Sequence, residues 1–108
     1  MRTTRPCRRD PNEREIIEAL HARGVIALQV DCADLPDLLV IHAGRWVWME
    51  VKRPAGPRGG ASEDGQKLSA GQAAFFALAA IHGAPAHVVR TPHEALVALG
   101  LDTANEGR

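Results

Sequence analysis

Two apolar segments joined by a short turn constrain the fold of this chain more than any other feature. Residues 38–41 are Leu-Leu-Val-Ile, and residues 46–51 carry two tryptophans and two valines, which are typical of β-strands. Because Ala43-Gly44-Arg45 between them is a turn signal, we predict a hairpin. Asp37 opens the first segment and Glu50 lies near the end of the second. Hairpin pairing therefore places both carboxylates near the same end of a sheet.

The residues around Glu50 complete an oxygen-rich group. Side chains alternate between the faces of a strand, so Glu50 and Lys52 point to one face and Val51 to the other. Asp37, Glu50 and the Val51 backbone carbonyl are the kind of oxygen ligands that Mg²⁺ prefers. A metal held there would activate water and stabilise charge on a phosphate oxygen, and Lys52 would orient the water or the phosphate. The group favours phosphodiester hydrolysis, and the alternative is a surface salt bridge on a strand.

Composition bounds the fold class and the environment. With 108 residues, 45% of them hydrophobic, the chain is expected to form one domain with a modest core. The apolar runs are too short to span a bilayer, and the Arg-rich N-terminus is not followed by the apolar stretch of a signal peptide. We therefore expect a soluble, intracellular protein without a membrane partner. Cys7 and Cys32 fit neither a disulfide framework nor a zinc motif.

The charges are balanced overall but clustered locally. Thirteen basic residues face thirteen acidic ones, so no global field indicates a nucleic-acid partner. Residues 1–10 are rich in arginine and are expected to be a flexible segment or a phosphate-binding one. Arg53, Arg58 and Lys67 follow the second strand, and we predict that they contact nucleic acid.

The first helix is predicted from its cap and its apolar spacing. Asp10 suits the N-cap, Pro11 suits the first helical position, and Gly24 ends the element. Ile16 and Leu20 recur at helical spacing from Glu13, so this carboxylate shares the inward face.

The remaining elements follow from local signals. Residues 25–30 suit a strand, residues 54–65 are a Gly- and Pro-rich loop, and Ser69 caps a helix over 70–82. Ala73, Phe76, Ala77 and Ala80 are predicted to form the face of this helix that packs on the sheet. A fourth strand over 86–90 and a final helix capped by Thr91 follow. The predicted order is αβββαβα over a single domain at 11–101, with a flexible tail at 102–108.

Three separated motifs resemble a known family. They are Pro-Asp-Leu-Leu-Val at 36–40, Trp-Met-Glu-Val-Lys-Arg-Pro at 48–54 and Leu-Ser-Ala-Gly-Gln-Ala-Ala-Phe at 68–75. In this order and spacing they are similar to the VRR-NUC branch of the PD-(D/E)xK nuclease superfamily. The resemblance covers about residues 13 to 99.

The resemblance implies a restriction-endonuclease-like α/β core with a central mixed four-stranded sheet flanked by helices. Asp37 and Glu50 would bind Mg²⁺ or Mn²⁺, Lys52 would complete the catalytic set, and Gln72 and Glu13 would face the metal site. The implied function is endonucleolytic hydrolysis of DNA, selective for branched, flap or Holliday-junction structures. The resemblance also implies a cytoplasmic protein, bacterial or phage-encoded, that forms a homodimer and uses no small-molecule cofactor.

One departure from the family pattern concerns the loop before Asp37. Family members usually carry Gly two residues before the Asp, where this chain has Leu35, and acids stand at Asp31 and Asp34. Asp34 would either add to the metal site or repel a phosphate backbone. The acids and the neutral charge favour a catalytically silent nucleic-acid-binding or assembly subunit as the alternative function. An RNA-directed nuclease is a third interpretation.

Overall fold

The computed structural model describes residues 10–54 and 67–103, and within them seven elements follow the predicted order. They are α1 (Pro11–Ala22), β1 (Ile26–Gln29), β2 (Leu38–His42), β3 (Arg45–Val51), α2 (Ala70–His82), β4 (Ala86–Val89) and α3 (Pro92–Ala98). The predicted α/β class and the αβββαβα order are confirmed. Three predictions concern residues outside the described ranges. They are the predictions for the basic N-terminal residues, for Arg58 and the loop around it, and for the last five residues.

The four strands form one mixed sheet in the order β1-β2-β3-β4. β1, β2 and β3 pair antiparallel, whereas β4 runs parallel to β3. A two-residue turn closes the β2–β3 hairpin, with Ala43 and Gly44 at φ of +53° and +77°. Positive φ at both central residues matches the right-handed twist of paired strands. A parallel neighbour requires a crossover, and α2 lies in the connection between β3 and β4.

The main core lies on one face of the sheet, against α1 and α3. Val40, Val47 and Met49 point to this face and are fully buried, and α1 contributes Ile16 and Leu20 at the predicted spacing. Since both strands of the hairpin bury alternate residues here, their other residues must point to the face that α2 covers.

α2 begins as predicted, but a different face of the helix packs on the sheet. Gln72, Phe75, Phe76 and Ala79 are at least half-buried, whereas Ala73, Ala77 and Ala80 are exposed. The predicted small-residue face was therefore wrong except at Phe76. Burying two phenylalanines removes far more apolar area from water than burying alanines, which explains the rotation of the helix. The ring of Phe75 meets that of Trp48 edge-on at 5.3 Å.

One strip of the sheet on the α2 side stays exposed. Ile26 and Leu28 of β1 are 51% and 47% exposed, and Trp46 of β3 is 60% exposed. The register pairs Ile26 with Ile41 and Ile41 with Trp46, so these residues share one face. None of the helices in the described part of the chain is long and apolar enough to cross a membrane.

The burial pattern predicts how two leucines on helices differ. Leu20 has no exposed surface, so Leu20→Ala should lower the free energy of unfolding by about 2–5 kcal/mol. Leu78 on α2 is 56% exposed and provides the matched control. Leu78→Ala should change the free energy of unfolding by less than about 1 kcal/mol. Urea unfolding followed by circular dichroism measures both values, and equal losses would contradict the assignment of the core.

Candidate metal-binding site

The strand register brings Asp37 and Glu50 together. Leu38 pairs with Met49, so the residue before β2 lies opposite the residue after Met49. The Asp37 backbone N–H donates to Glu50 Oε1 at 3.2 Å, and Asp37 Oδ2 accepts from the Val51 N–H at 2.9 Å. The two carboxylates therefore share one end of the hairpin, as its pairing predicted.

The Val51 carbonyl is directed to the same place. A strand residue in a hydrogen-bonded pair directs its N–H and its C=O to the same neighbour. The N–H of Val51 points to Asp37, whereas the N–H of Lys52 donates to the Val89 carbonyl of β4 at 3.0 Å. The carbonyl of Val51 consequently lies on the Asp37 side of β3.

Lys52 and Gln72 surround the second oxygen of Glu50. Lys52 Nζ lies 3.3 Å from Glu50 Oε2, and Gln72 Nε2 donates to the same oxygen at 2.9 Å. Gln72 Oε1 accepts from the Ser69 N–H at 3.0 Å and lies 3.5 Å from Lys52 Nζ. One amide therefore holds both charged groups in place.

The capping box of α2 fixes the position of Gln72. Ser69 Oγ accepts from the Gln72 N–H at 3.1 Å while the Gln72 side chain accepts from the Ser69 N–H, so both residues satisfy helix-terminal donors. The Gln72 side chain is bound at the cap and at Glu50 simultaneously, so its rotamer is strongly constrained.

The environment of Glu50 disfavours its charged form. The side chain is 2% exposed, and burial together with the nearby Asp37 carboxylate raises the pKa of Glu50 from 4.5 to about 7. Lys52 and the hydrogen bonds from Lys52 and Gln72 oppose this rise of the pKa without cancelling it. A buried carboxylate beside a second one gains most from an added cation, because the cation compensates both charges.

The donors present fit a hard divalent cation. Two carboxylates and one backbone carbonyl offer only oxygen, and Mg²⁺ commonly keeps several waters beside so small a protein set. Within residues 10–54 and 67–103, no group of three or more His, Cys, Asp or Glu side chains is placed to hold a metal. The described site is therefore limited to Asp37, Glu50 and the Val51 carbonyl.

Glu13 is buried, as its helical spacing predicted, but it contacts a different strand. Its side chain is 2% exposed, and its Oε2 accepts from Gln29 Nε2 at 3.1 Å. Gln29 pairs with Leu38 in the sheet, so Glu13 is bound one strand away from Asp37. Among the described residues, Glu13 does not form a three-ligand group with the carboxylates of Asp37 and Glu50. Its role at a metal stays a prediction.

Two of the three basic residues expected to bind nucleic acid lie within the described residues. Arg53 is exposed, and its Nε lies 3.9 Å from Asp10 Oδ1. Lys67 is exposed at the approach to α2, and Arg58 lies outside the described residues. The binding of nucleic acid by these three cations stays a prediction.

Asn12 was missed by the sequence reasoning. Its Nδ2 donates to the Lys52 carbonyl at 3.0 Å and to the Arg90 carbonyl at 2.9 Å, so one amide joins α1 to the ends of two strands. No local pattern marks an asparagine that acts on residues so distant in sequence. Ser69 was predicted as the cap of α2, whereas the reciprocal bond from Gln72 was not predicted, although the Ser-x-x-Gln spacing is a signal that could have indicated it.

The chain was compared with protein-family models, with curated proteins and with solved structures, and none of these comparisons gave a match.

The raised pKa of Glu50 predicts how stability depends on pH. Because the folded state binds a proton up to about pH 7 while the unfolded state releases it near pH 4.5, stability falls as the pH rises between these values. The loss amounts to roughly 3 kcal/mol for a shift of this size. Urea unfolding of the metal-free protein from pH 4 to pH 8 measures this loss of stability, with Glu50→Gln as the non-titrating reference. If the free energy of unfolding depended on pH in the same way in both proteins, the raised pKa of Glu50 would be contradicted.

Proposed function

We propose that this chain is a Mg²⁺-dependent endonuclease of the VRR-NUC branch that hydrolyses DNA phosphodiester bonds, with Mn²⁺ able to substitute. The observation that carries the proposal is the pairing of Asp37 with Glu50 at one end of the hairpin. Lys52 lies 3.3 Å from Glu50 on the same strand face. The three motifs of the family supply the residues of this group, which supports the assignment further.

Each residue has a role set by its contacts. Asp37, Glu50 and the Val51 carbonyl would hold the cation, which lowers the pKa of a bound water and neutralises charge on the phosphate. Lys52, directed at Glu50 and Gln72, would orient the attacking water or bind a phosphate oxygen. Gln72 keeps the ammonium and the carboxylate in register. Glu13 is included in the proposal as a further carboxylate at the start of α1.

The alternative is a catalytically silent subunit of the same fold that binds nucleic acid or assembles with other proteins. The acids at Asp31 and Asp34 and the neutral overall charge favour it. The contacts among Asp37, Glu50, Lys52 and Gln72 favour the enzyme, because a silent subunit has no need of a buried carboxylate with a raised pKa.

Cleavage assays test the enzyme. With Mg²⁺ or Mn²⁺, the purified protein should cut DNA, and Asp37→Ala, Glu50→Ala and Lys52→Ala should each lower the rate at least about 100-fold. Glu15→Ala, which removes an exposed carboxylate of α1, is the matched control and should leave the rate unchanged. A panel of linear, nicked, flap and four-way DNA, with RNA of the same shapes, identifies the preferred substrate. Equal cleavage by wild type and the three variants would contradict the site, and metal-independent binding without cleavage would establish the alternative.

We propose that the protein acts as a homodimer through the exposed strip formed by Ile26, Leu28 and Trp46. Among residues 10–54 and 67–103, β1 lies at the edge of the sheet and pairs with β2, and its sequence Ile-Ala-Leu-Gln carries no charge. A second copy is the occupant that we propose, because an apolar strip can pack on the same strip of another copy and the zero net charge adds no long-range repulsion between copies. Exposed apolar patches commonly mark such contacts.

Light scattering across the micromolar range tests the dimer. The wild-type protein should show twice the monomer mass, and Leu28→Lys should shift it to the monomer by placing a charge in the strip. Ala74→Lys adds the same charge to an exposed position of α2 outside the strip and should leave the mass unchanged. A monomer at every concentration would refute the proposal.

A further inference from the structure

Asn12 connects the first turn of α1 to the ends of two strands. Its Nδ2 donates to the Lys52 carbonyl at 3.0 Å and to the Arg90 carbonyl at 2.9 Å. Because Cα–Cβ bonds tilt toward the N-terminus of a helix, a side chain in the first turn reaches past the helix end toward such partners. A side-chain amide has two N–H donors, and both are used here. The two acceptors therefore constrain the position of this partly buried side chain.

The other polar atom of Asn12 indicates that this side chain contributes through its donors. Within the described part of the chain, Asn12 Oδ1 is buried and has no hydrogen-bond partner. A buried acceptor without a partner costs stability, so the gain at this position must come from the two donated bonds. Both bonds go to carbonyls that lie just beyond the last paired residues of β3 and β4, which are Val51 and Val89.

Lys52 lies one residue beyond the end of β3, and both polar groups of its backbone are bonded. Its N–H donates to the Val89 carbonyl at 3.0 Å, and its C=O accepts from Asn12. β4 ends at Val89, and Thr91 already caps α3. The Asn12 amide therefore continues the connection between the two strands one residue past the end of their pairing.

The backbone of Lys52 limits where its ammonium can lie. A lysine side chain is a flexible four-carbon stem, so its charge is placed by the backbone and by the contacts at its end. Nζ lies 3.3 Å from Glu50 Oε2 and 3.5 Å from Gln72 Oε1, and the side chain is 13% exposed. Both distances exceed the length of about 2.7–2.9 Å that is usual for strong charge-assisted hydrogen bonds. The end contacts are therefore loose, and the placement of the ammonium depends on a firmly held backbone.

We propose that Asn12 is a positioning residue for Lys52. By holding the Lys52 carbonyl beside the end of β4, Asn12 keeps the ammonium against Glu50 and Gln72, where the proposed hydrolysis uses it. Asn12 acts through Lys52 rather than on the cation or the substrate. The proposal rests on the function proposed above, but the placement of the ammonium exists without metal or DNA.

Acylation of the lysine amines in the metal-free protein tests the placement directly. The chain has two lysines, so the exposed Lys67 serves as an internal reference for Lys52. Asn12→Ala removes both donors and should raise the rate at which acetic anhydride modifies Lys52 about tenfold relative to Lys67, because the ammonium leaves its partners more often. Asn12→Leu keeps the branched shape of the side chain without a donor and should have the same effect. Mass spectrometry of the digested protein measures both rates.

Glu94→Ala is the matched control. Glu94 Oε1 accepts from the Arg90 N–H at 2.7 Å, so this variant loosens the same end of β4 without removing a bond from Lys52. It should leave the acylation rate of Lys52 within about twofold of wild type. An equal rise in Glu94→Ala, or an unchanged rate in both folded Asn12 variants, would overturn the positioning role. Loss of the folded state in both Asn12 variants, measured by circular dichroism, would also overturn it, because Asn12 would then hold the fold as a whole.

A double-mutant cycle on DNA cleavage separates positioning from a general structural effect. Asn12→Ala alone should lower the cleavage rate roughly 10- to 100-fold, as a small displacement of a catalytic group does. In the Lys52→Ala background the same change should lower the rate less than about twofold, because the ammonium that Asn12 positions is already absent. Equal losses in both backgrounds would overturn the proposal. A wild-type protein that cuts no DNA would instead overturn the proposed function, and the acylation rates would still decide the placement of Lys52.

Discussion

Everything at the candidate site depends on the antiparallel register of β2 and β3. Pairing Leu38 with Met49 places Asp37 beside Glu50 and directs the Val51 amide to an Asp37 oxygen. A slip of one residue would turn every side chain of β3 to the other face, burying Lys52 in the core and exposing Met49. The two-residue turn at Ala43 and Gly44 and the apolar core against α1 and α3 both enforce the observed register.

The two faces of the sheet carry the core and the candidate site, respectively. One face holds the main core, whereas the other carries Glu50 and Lys52 beneath the N-terminal turn of α2. Burial makes the charged form of Glu50 costly, and neither Lys52 nor Gln72 fully removes that cost. Near neutral pH, the buried Glu50 carboxylate therefore lowers the stability of the fold, and a cation bound beside it would restore that stability. Such local destabilisation is typical of functional sites.

Local signals predicted a large part of this arrangement. The Ser69 cap correctly predicted where α2 begins, and the spacing from Glu13 to Leu20 correctly predicted a buried carboxylate on α1. Which face of α2 packs on the sheet was predicted incorrectly, because small residues suggested close approach while burial of two phenylalanines decided the outcome. The contact of Glu13 with Gln29 could not be predicted either. Glu13 lies on α1 and Gln29 on β1, and no local pattern encodes how these two elements are placed relative to each other.

By itself the sequence determined the elements, the hairpin and the end of the sheet at which Asp37 and Glu50 meet. These follow from alternation, caps and turns, which act between residues close along the chain. Only the tertiary structure decided that Gln72 would bind Glu50 and that Asn12 would join the ends of β3 and β4. Such contacts depend on how helices settle on the sheet, which is governed by the total apolar area buried and by the space left between backbones.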